Sequence, residues 1–209
     1  MDKKVSVVMA ACNGERYIGP QIVSILQQLG ERDELIISLD PSTDQTESVI
    51  SGFADSRIKL LHGPGQGIVN NIEHGLTAAS GDYIFLADQD DIWHSKKMER
   101  ILEVLKQDAA LLVVHDCRIV DEALNELAPS YFMWHGTKTG FWNNLLRNSF
   151  IGCCMAFHRC LLNTALPFPK QLPMHDQWLG LIACKMGKVK YLKEPLIDYR
   201  RHSNNQSSL

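Results

Sequence analysis

No stretch of this chain approaches the roughly 20 consecutive apolar residues that a membrane-crossing helix needs. Blocks of Lys or Arg are also missing. The nearest, Tyr199-Arg200-Arg201-His202, is too short for a polybasic tail, so nucleic acid is not an expected partner. The six cysteines include no C-x-x-C pair, and adjacent Cys153 and Cys154 do not suit a zinc knuckle. A chain of this size does not call for disulfide staples, and the cysteines read as buried free thiols. No internal repeat, low-complexity tract or linker interrupts the sequence. Lys3-Lys4 before a short apolar stretch slightly mimics a secretion signal, but the stretch lasts only about eight residues and runs into Asn13-Gly14-Glu15. A cytosolic protein is expected.

What is present suits one compact domain: 209 residues, 45% of them hydrophobic, with a net charge of −3. The first half alternates. Apolar runs at Val5–Ala10, Glu34–Leu39, Arg57–Leu61 and Asp82–Ala87 read as strands. Between them, Ile18–Leu29, a segment entered by Ser42-Thr43-Asp44 and running to Phe53, and Val69–Ala79 read as helices. Near-continuous apolar strands alternating with helices predict a mostly parallel sheet with helices on both faces. The second half is less regular. It reads as a helix over His94–Gln107, a strand over Ala110–His115 and an aromatic-rich loop over 121–137. A helix over Phe141–Arg147, a strand over Gly152–Phe157, a helix from about Asp176 and strands over Lys188–Leu192 and Leu196–Tyr199 follow.

One feature stands out on that frame. The run Phe85-Leu86-Ala87 ends in Asp88-Gln89-Asp90-Asp91, three carboxylates among four residues. Parallel α/β sheets collect ligands at the carboxyl ends of their strands, where Cys12-Asn13-Gly14, Asp40-Pro41-Ser42 and Gly63-Pro64-Gly65 also fall. That placement favours a bound cation over a merely solvated acidic loop. Carboxylate oxygens are hard ligands suited to Mg²⁺ or Mn²⁺, which take their remaining ligands from phosphates and water.

The motifs occur in a recognisable order. Val5-Ser6-Val7-Val8-Met9-Ala10 with Asn13-Gly14-Glu15, then Asp40-Pro41-Ser42-Thr43-Asp44, then Ser80-Gly81-Asp82-Tyr83 running into Asp88-Gln89-Asp90-Asp91-Ile92-Trp93, resembles family 2 glycosyltransferases of the GT-A fold. Ile151-Gly152-Cys153-Cys154, His175-Asp176-Gln177-Trp178 and Tyr199-Arg200-Arg201-His202 continue the likeness to the end of the chain. The variants Asp-Gln-Asp-Asp-x-Trp and His-Asp-x-Trp look like the subgroup described as rhamnosyltransferase-like.

The resemblance implies a single GT-A, Rossmann-like α/β domain over 1–209. Residues 1–93 would form the nucleotide-sugar-binding half and 94–209 the acceptor and catalytic half. It implies a nucleotide-diphosphate sugar donor and a bridging Mn²⁺ or Mg²⁺, with Asp90 and His202 as metal ligands. Asp88, Asp40, Asn13 and Asn71 would hold the nucleotide, and Arg200 and Arg201 would neutralise phosphate. Asp176 matches the catalytic base of an inverting transfer. Bland alternatives stand beside these: a helix cap for Asp91 or Asp176, an exposed helical position for Asn71, an ordinary surface role for His202. Trp93, Trp134 and Trp178 are candidates for stacking on sugars, and His175 for orienting the base. The implied acceptor is a saccharide or lipid-linked saccharide of a bacterial surface polymer. Peripheral contact with the inner face of the membrane is left open.

Two departures matter. The family pattern after the second strand has two acids and a glycine, where this chain has Leu39-Asp40-Pro41. Leu39 cannot accept a hydrogen bond from a base, and Pro41 cannot adopt positive φ. A catalytically degraded nucleotide-sugar binder is therefore the main rival. A sugar nucleotidyltransferase is a weaker one, since Cys12-Asn13-Gly14-Glu15 lacks the basic, Gly-rich signature such an enzyme needs.

Overall fold

The computed structural model describes residues 3–107 and 110–202. The chain runs β1 (Val5–Ala11), α1 (Ile18–Leu26), β2 (Glu34–Leu39), α2 (Thr46–Ser51), β3 (Ile58–His62), α3 (Ile68–Ala78) and β4 (Tyr83–Asp88). It continues through β5 (Ile92–Trp93), α4 (Lys97–Gln107), β6 (Ala110–Val120), β7 (Glu126–Ala128), α5 (Tyr131–His135) and α6 (Phe141–Leu146). The last elements are β8 (Met155–His158), α7 (Leu162–Ala165), α8 (His175–Met186) and β9 (Lys188–Arg200).

Every residue of β1 and β2 is buried, as expected of strands covered on both faces. Helix α1 covers them with Ile18, Ile22 and Ile25, spaced to share one helical stripe. Each such fully buried aliphatic side chain contributes about 1.5–3 kcal/mol of transfer free energy. Strands β3, β2, β1 and β4 are parallel neighbours, and β1 pairs Ala10 with Asp88 on one side and Ala11 with Leu39 on the other. Cys12, Asp40 and the acidic turn therefore emerge at one edge of the sheet.

Beyond β4 the sheet becomes mixed. β8 runs antiparallel to both β4 and β6, β9 runs parallel to β6, and β5 pairs antiparallel with β9. The pairing of Ile92 with Asp198 and Trp93 with Ile197 brings the end of β9 to the acidic turn.

Several expectations for the second half need correction. The two strands read over 188–192 and 196–199 are one strand, because Pro195 sits at a register shift between His115 and Asp116 instead of breaking the pairing. The strand read from Gly152 begins as a 3₁₀ turn over Gly152–Cys154 and pairs only from Met155. The aromatic loop contains β7 and α5, the latter capped by the Ser130 hydroxyl, which accepts from the Met133 amide. Buried free thiols hold for Cys117, Cys153 and Cys154, while Cys160 is exposed.

Candidate active site

The acidic turn is built so that each carboxylate faces a different environment. Asp91 is fully buried and accepts from the Arg200 amide at 3.1 Å. Burial first, then the charges of Asp90 and Asp88, push its carboxyl well above the ordinary range. The helix-cap reading of Asp91 fails, since β5 follows it directly and α4 begins only at Lys97. Asp90 points elsewhere: its Oδ2 lies 2.8 Å from His202 Nε2. His202 is stacked on Tyr17 with ring centroids 4.9 Å apart. Asp88 stands at the end of β4, and its carboxyl is pushed up to about 7 by burial and by Asp90.

Behind the turn lies Lys97, fully buried, its ammonium 4.0 Å from the centre of the Trp93 ring and donating to the Cys153 carbonyl at 2.8 Å. Burial pulls its pKa down to about 8. Ligand atoms of Asp88, Asp91 and Cys153 gather within 4.8 Å of one another. The Cys153 thiol is pushed well above its ordinary value by burial, so it stays protonated and ligates poorly.

A divalent cation fits this donor set. Asp90 and His202 lie in direct contact, Asp91 Oδ2 is buried without a hydrogen-bond partner among the described residues, and a cation would relieve the mutual repulsion of the three acids.

The sheet edge formed by the loops after β1, β2 and β3 is organised by backbone-directed bonds. Asn13, at φ 48, accepts from the Thr43 amide at 2.8 Å, while its own amide donates to Ser42 Oγ at 3.1 Å. This clamps the loop after β1 to the loop after β2. Asp40 is buried and accepts from the Gly65 amide at 2.9 Å, tying the Gly/Pro loop to the same edge. Asn71 is buried, not exposed as the bland reading had it. Its Nδ2 donates to the Ser38 carbonyl at 2.9 Å, and its Oδ1 has no hydrogen-bond partner among the described residues. Gly63 lies between these two side chains, and a Cβ there would stand 2.4 Å from both Asn71 Oδ1 and Asp40 Oδ1. Leu39 belongs to the core of the sheet and takes no place at the edge.

Asp176 lies in the first turn of α8, buried, with Met174 and not itself at the cap position. It accepts from the Gln177 amide at 2.6 Å and from Asn148 Nδ2 at 3.2 Å. Burial raises its pKa despite these bonds, and its charge also raises Asp88, so the two carboxylates sense one another. A raised carboxyl is a stronger base, which suits proton abstraction. Neighbouring His175 is buried and kept neutral by desolvation, and its ring packs where a Cβ on Gly152 would come within 2.8 Å of Nε2. Asn148, not His175, is the side chain that bonds the carboxylate.

The structure thus brings Asp88, Asp90, His202 and Arg200 together, with Asp176 near enough to interact. Arg200 is buried and largely turned inward: Nε donates to the Asp90 carbonyl at 2.8 Å and a terminal nitrogen to the Glu122 carbonyl at 2.7 Å. Arg201 is partly exposed, its amide donating to the Val120 carbonyl at 2.8 Å. Trp93 is core, Trp178 donates to the Ala165 carbonyl at 3.0 Å, and Trp134 is exposed. Sequence reasoning missed Lys97, Tyr17 and Gln89. Only Gln89, lying inside the acidic motif, carried any signal. A hollow lined by Lys3, Tyr83, Leu111, His158 and Met186 opens elsewhere on the surface and shares no residue with this site.

Similarity to known proteins agrees with this geometry. Residues 6–165 match the family described as Glycosyl transferase family 2. The chain is 31% identical over 184 residues to the Escherichia coli UDP-Glc:alpha-D-GlcNAc-diphosphoundecaprenol beta-1,3-glucosyltransferase WfgD, covering 87% of this chain and 70% of that protein. The crystal structure of Staphylococcus aureus TarS 1-349 in complex with UDP-GlcNAc superposes with a TM-score of 0.78 at 17% identity, over 99% of this chain and 62% of that one. The mannosyltransferase PcManGT from Pyrobaculum calidifontis, solved with GDP-Man and Mn²⁺, gives 0.68 at 19% identity, over 93% and 55%. The chain spans between 66% and 70% of the length of three curated relatives. No helix among the described residues is long and apolar enough to cross a membrane. With a matched segment that covers most of the chain and a fold in which the returning His202 meets the acidic strand end, the chain belongs to glycosyltransferase family 2.

Proposed function

We propose that the chain is a metal-dependent, inverting glycosyltransferase that moves a sugar from a nucleoside diphosphate donor to a hydroxyl of a saccharide acceptor. The observation that carries this reading is the 2.8 Å approach of His202 Nε2 to Asp90 Oδ2 beside two further buried-edge carboxylates. In this reading residues 1–93 hold the donor and 94–209 supply the acceptor site and base. Assembly of a bacterial surface polysaccharide at the cytoplasmic face of the membrane belongs to this reading, and the diphosphoundecaprenol in the name of the Escherichia coli relative supports it.

Asp90 and His202 would hold Mn²⁺ or Mg²⁺, with Asp88 and Asp91 adding negative charge. A cation bound there neutralises charge developing on the departing diphosphate. Asp40, Asn71 and the loop clamped by Asn13 would receive base and ribose, and Gly63 leaves them room. Asp176 accepts the proton of the acceptor hydroxyl as its oxygen attacks the anomeric carbon. Desolvation keeps that carboxyl more basic than an exposed one, and the Asn148 bond fixes its orientation.

UDP is the first nucleotide to test, since TarS and WfgD both carry uridine donors in their names, with GDP and dTDP beside it. Rhamnose is associated with the subgroup motifs, and glucose, galactose or an amino sugar would leave the same motifs. Calorimetric titration of each nucleotide with and without Mn²⁺, repeated on Asp90→Ala, is the test. Metal-dependent binding of one nucleotide, lost in the variant, is expected. Binding of none with metal present would leave a degraded transferase.

A further inference from the structure

The acceptor side of the molecule carries an apolar surface that the transfer reaction does not use. Helices α5 and α6 expose Met133 (84%), Trp134 (55%), Trp142 (71%), Leu145 (45%) and Leu146 (89%). The two helices form one platform. The Arg147 side chain donates to the His135 carbonyl at 3.1 Å, and the Lys138 amide donates to Ser149 Oγ between them. The Trp142 ring stands edge-on to Phe141, and the Lys185 ammonium from α8 lies 4.4 Å from the centre of the Phe141 ring. Contiguous exposure of this kind marks a contact surface.

Charge says what kind. The whole chain is net negative at −3, yet between Leu127 and His175 it contains no Asp or Glu at all. Continuing to Lys193, Asp176 is the sole acid, and that residue is buried. Exposed Lys138, Arg147 and Lys185 rim the apolar side chains. Tryptophan and leucine beside lysine and arginine is the chemistry of an element that lies in the headgroup region of an anionic bilayer. A protein partner would use indole rings and a basic rim as well, but the absence of acids from the whole stretch between Leu127 and His175 favours an extended anionic surface.

We infer that the α5–α6 platform docks the protein on an anionic phospholipid surface. Asn144 and Asn148 then connect the platform to the proposed base: the Asn144 carbonyl accepts from Gln177 at 2.9 Å, and Asn148 bonds Asp176. Docking would thus present the base side of the site to a lipid-borne acceptor, a consequence that rests on the transferase reading, whereas the membrane contact itself does not.

Co-sedimentation with vesicles of phosphatidylethanolamine and phosphatidylglycerol, compared with phosphatidylcholine alone, tests the inference. The wild-type protein is expected to sediment with the anionic vesicles and to be released by high salt. Trp142→Ala combined with Leu146→Ser is expected to weaken sedimentation by about tenfold, as loss of apolar anchors does. Both positions are exposed, so the melting temperature stays unchanged. UDP titration of the same variant separates this question from the transferase reading, because donor binding needs neither residue. Three results would overturn the inference. They are no sedimentation with anionic vesicles, sedimentation that the variant retains in full, or a wild-type dimer that the variant splits into monomers without any change in vesicle binding.

Discussion

The Gln89 carboxamide closes a two-point bond on the backbone of Cys12, accepting from its amide at 3.0 Å and donating to its carbonyl at 2.9 Å. The residue between Asp88 and Asp90 thereby becomes a strut that fixes the acidic turn against the loop after β1. Gly14 makes room for it, since a Cβ there would stand 2.2 Å from Gln89 Oε1.

This contact predicts a coupled pair of substitutions. Gln89→Ala should cost about 1–3 kcal/mol through the two unpaired backbone groups, and Gly14→Ala should cost a comparable amount by expelling the carboxamide. The costs should not add, because Gly14→Ala has nothing left to displace once Gln89 is gone. Denaturant unfolding of the two single variants and the double variant measures this. Additive losses would mean the strut is not what Gly14 accommodates.

Asp176→Asn should lower transfer by about 10²–10⁴-fold while leaving nucleotide binding intact. The pH profile carries a sign. A base must be ionised to work, and burial raises the Asp176 pKa, so kcat/KM should climb with pH through a limb above the usual carboxylate range. A limb at or below that range would remove Asp176 from the role, as would an Asn variant with full activity.

Glu34 governs acid stability at a distance from the site. Burial alone would raise its pKa, but bonds from Lys59, Ser6, the Ser80 amide and Lys4 outweigh that and hold it far below the ordinary value of 4.5. A depressed folded pKa stabilises fully above the unfolded value, and the contribution drains away as pH falls below about 4.5. Thermal melts from pH 7 down to pH 3, within reach of both carboxylate states, should show a shallower acid decline for Glu34→Gln than for wild type. Parallel declines would contradict the assignment.

Lys97→Met should destabilise the fold by about 1–3 kcal/mol, because it leaves the buried Cys153 carbonyl unpaired and removes the cation from the face of Trp93. Added Mn²⁺ should raise the melting temperature of this variant more than that of wild type, since a cation at Asp90 and His202 replaces part of the lost charge. An equal shift in both proteins would separate Lys97 from the acidic turn.

Much of the first half was legible because its strands are apolar throughout and its turns carry distinctive acids. Glu34–Leu39 was read to the residue, and the edge that holds Asn13, Asp40 and Asp88 followed from strand ends alone. The second half resisted for identifiable reasons. Pro195 looked like a break between two strands, whereas a register shift absorbs it. Asp91 looked like a helix cap because the two-residue strand Ile92–Trp93 has no sequence signature. Lys97 looked like one of many helical lysines, and only the packing of α4 against β6 and β8 shows that it is fully buried. Tyr17 is chosen by its contact with His202, a residue that sequence spacing places nowhere near it.

Asp90 and His202 are separated by 112 positions along the chain, and β9 is the strand that closes the distance. Long-range pairings of this sort carry a large loop-closure cost and tend to form late in folding. A chain still emerging from the ribosome can complete the parallel β3-β2-β1-β4 half, but it lacks this pair until β9 has been made and has docked beside β5 and β6. The half-built protein would then offer an acidic turn without its histidine, so the proposed metal site could be complete only once β9 is in place.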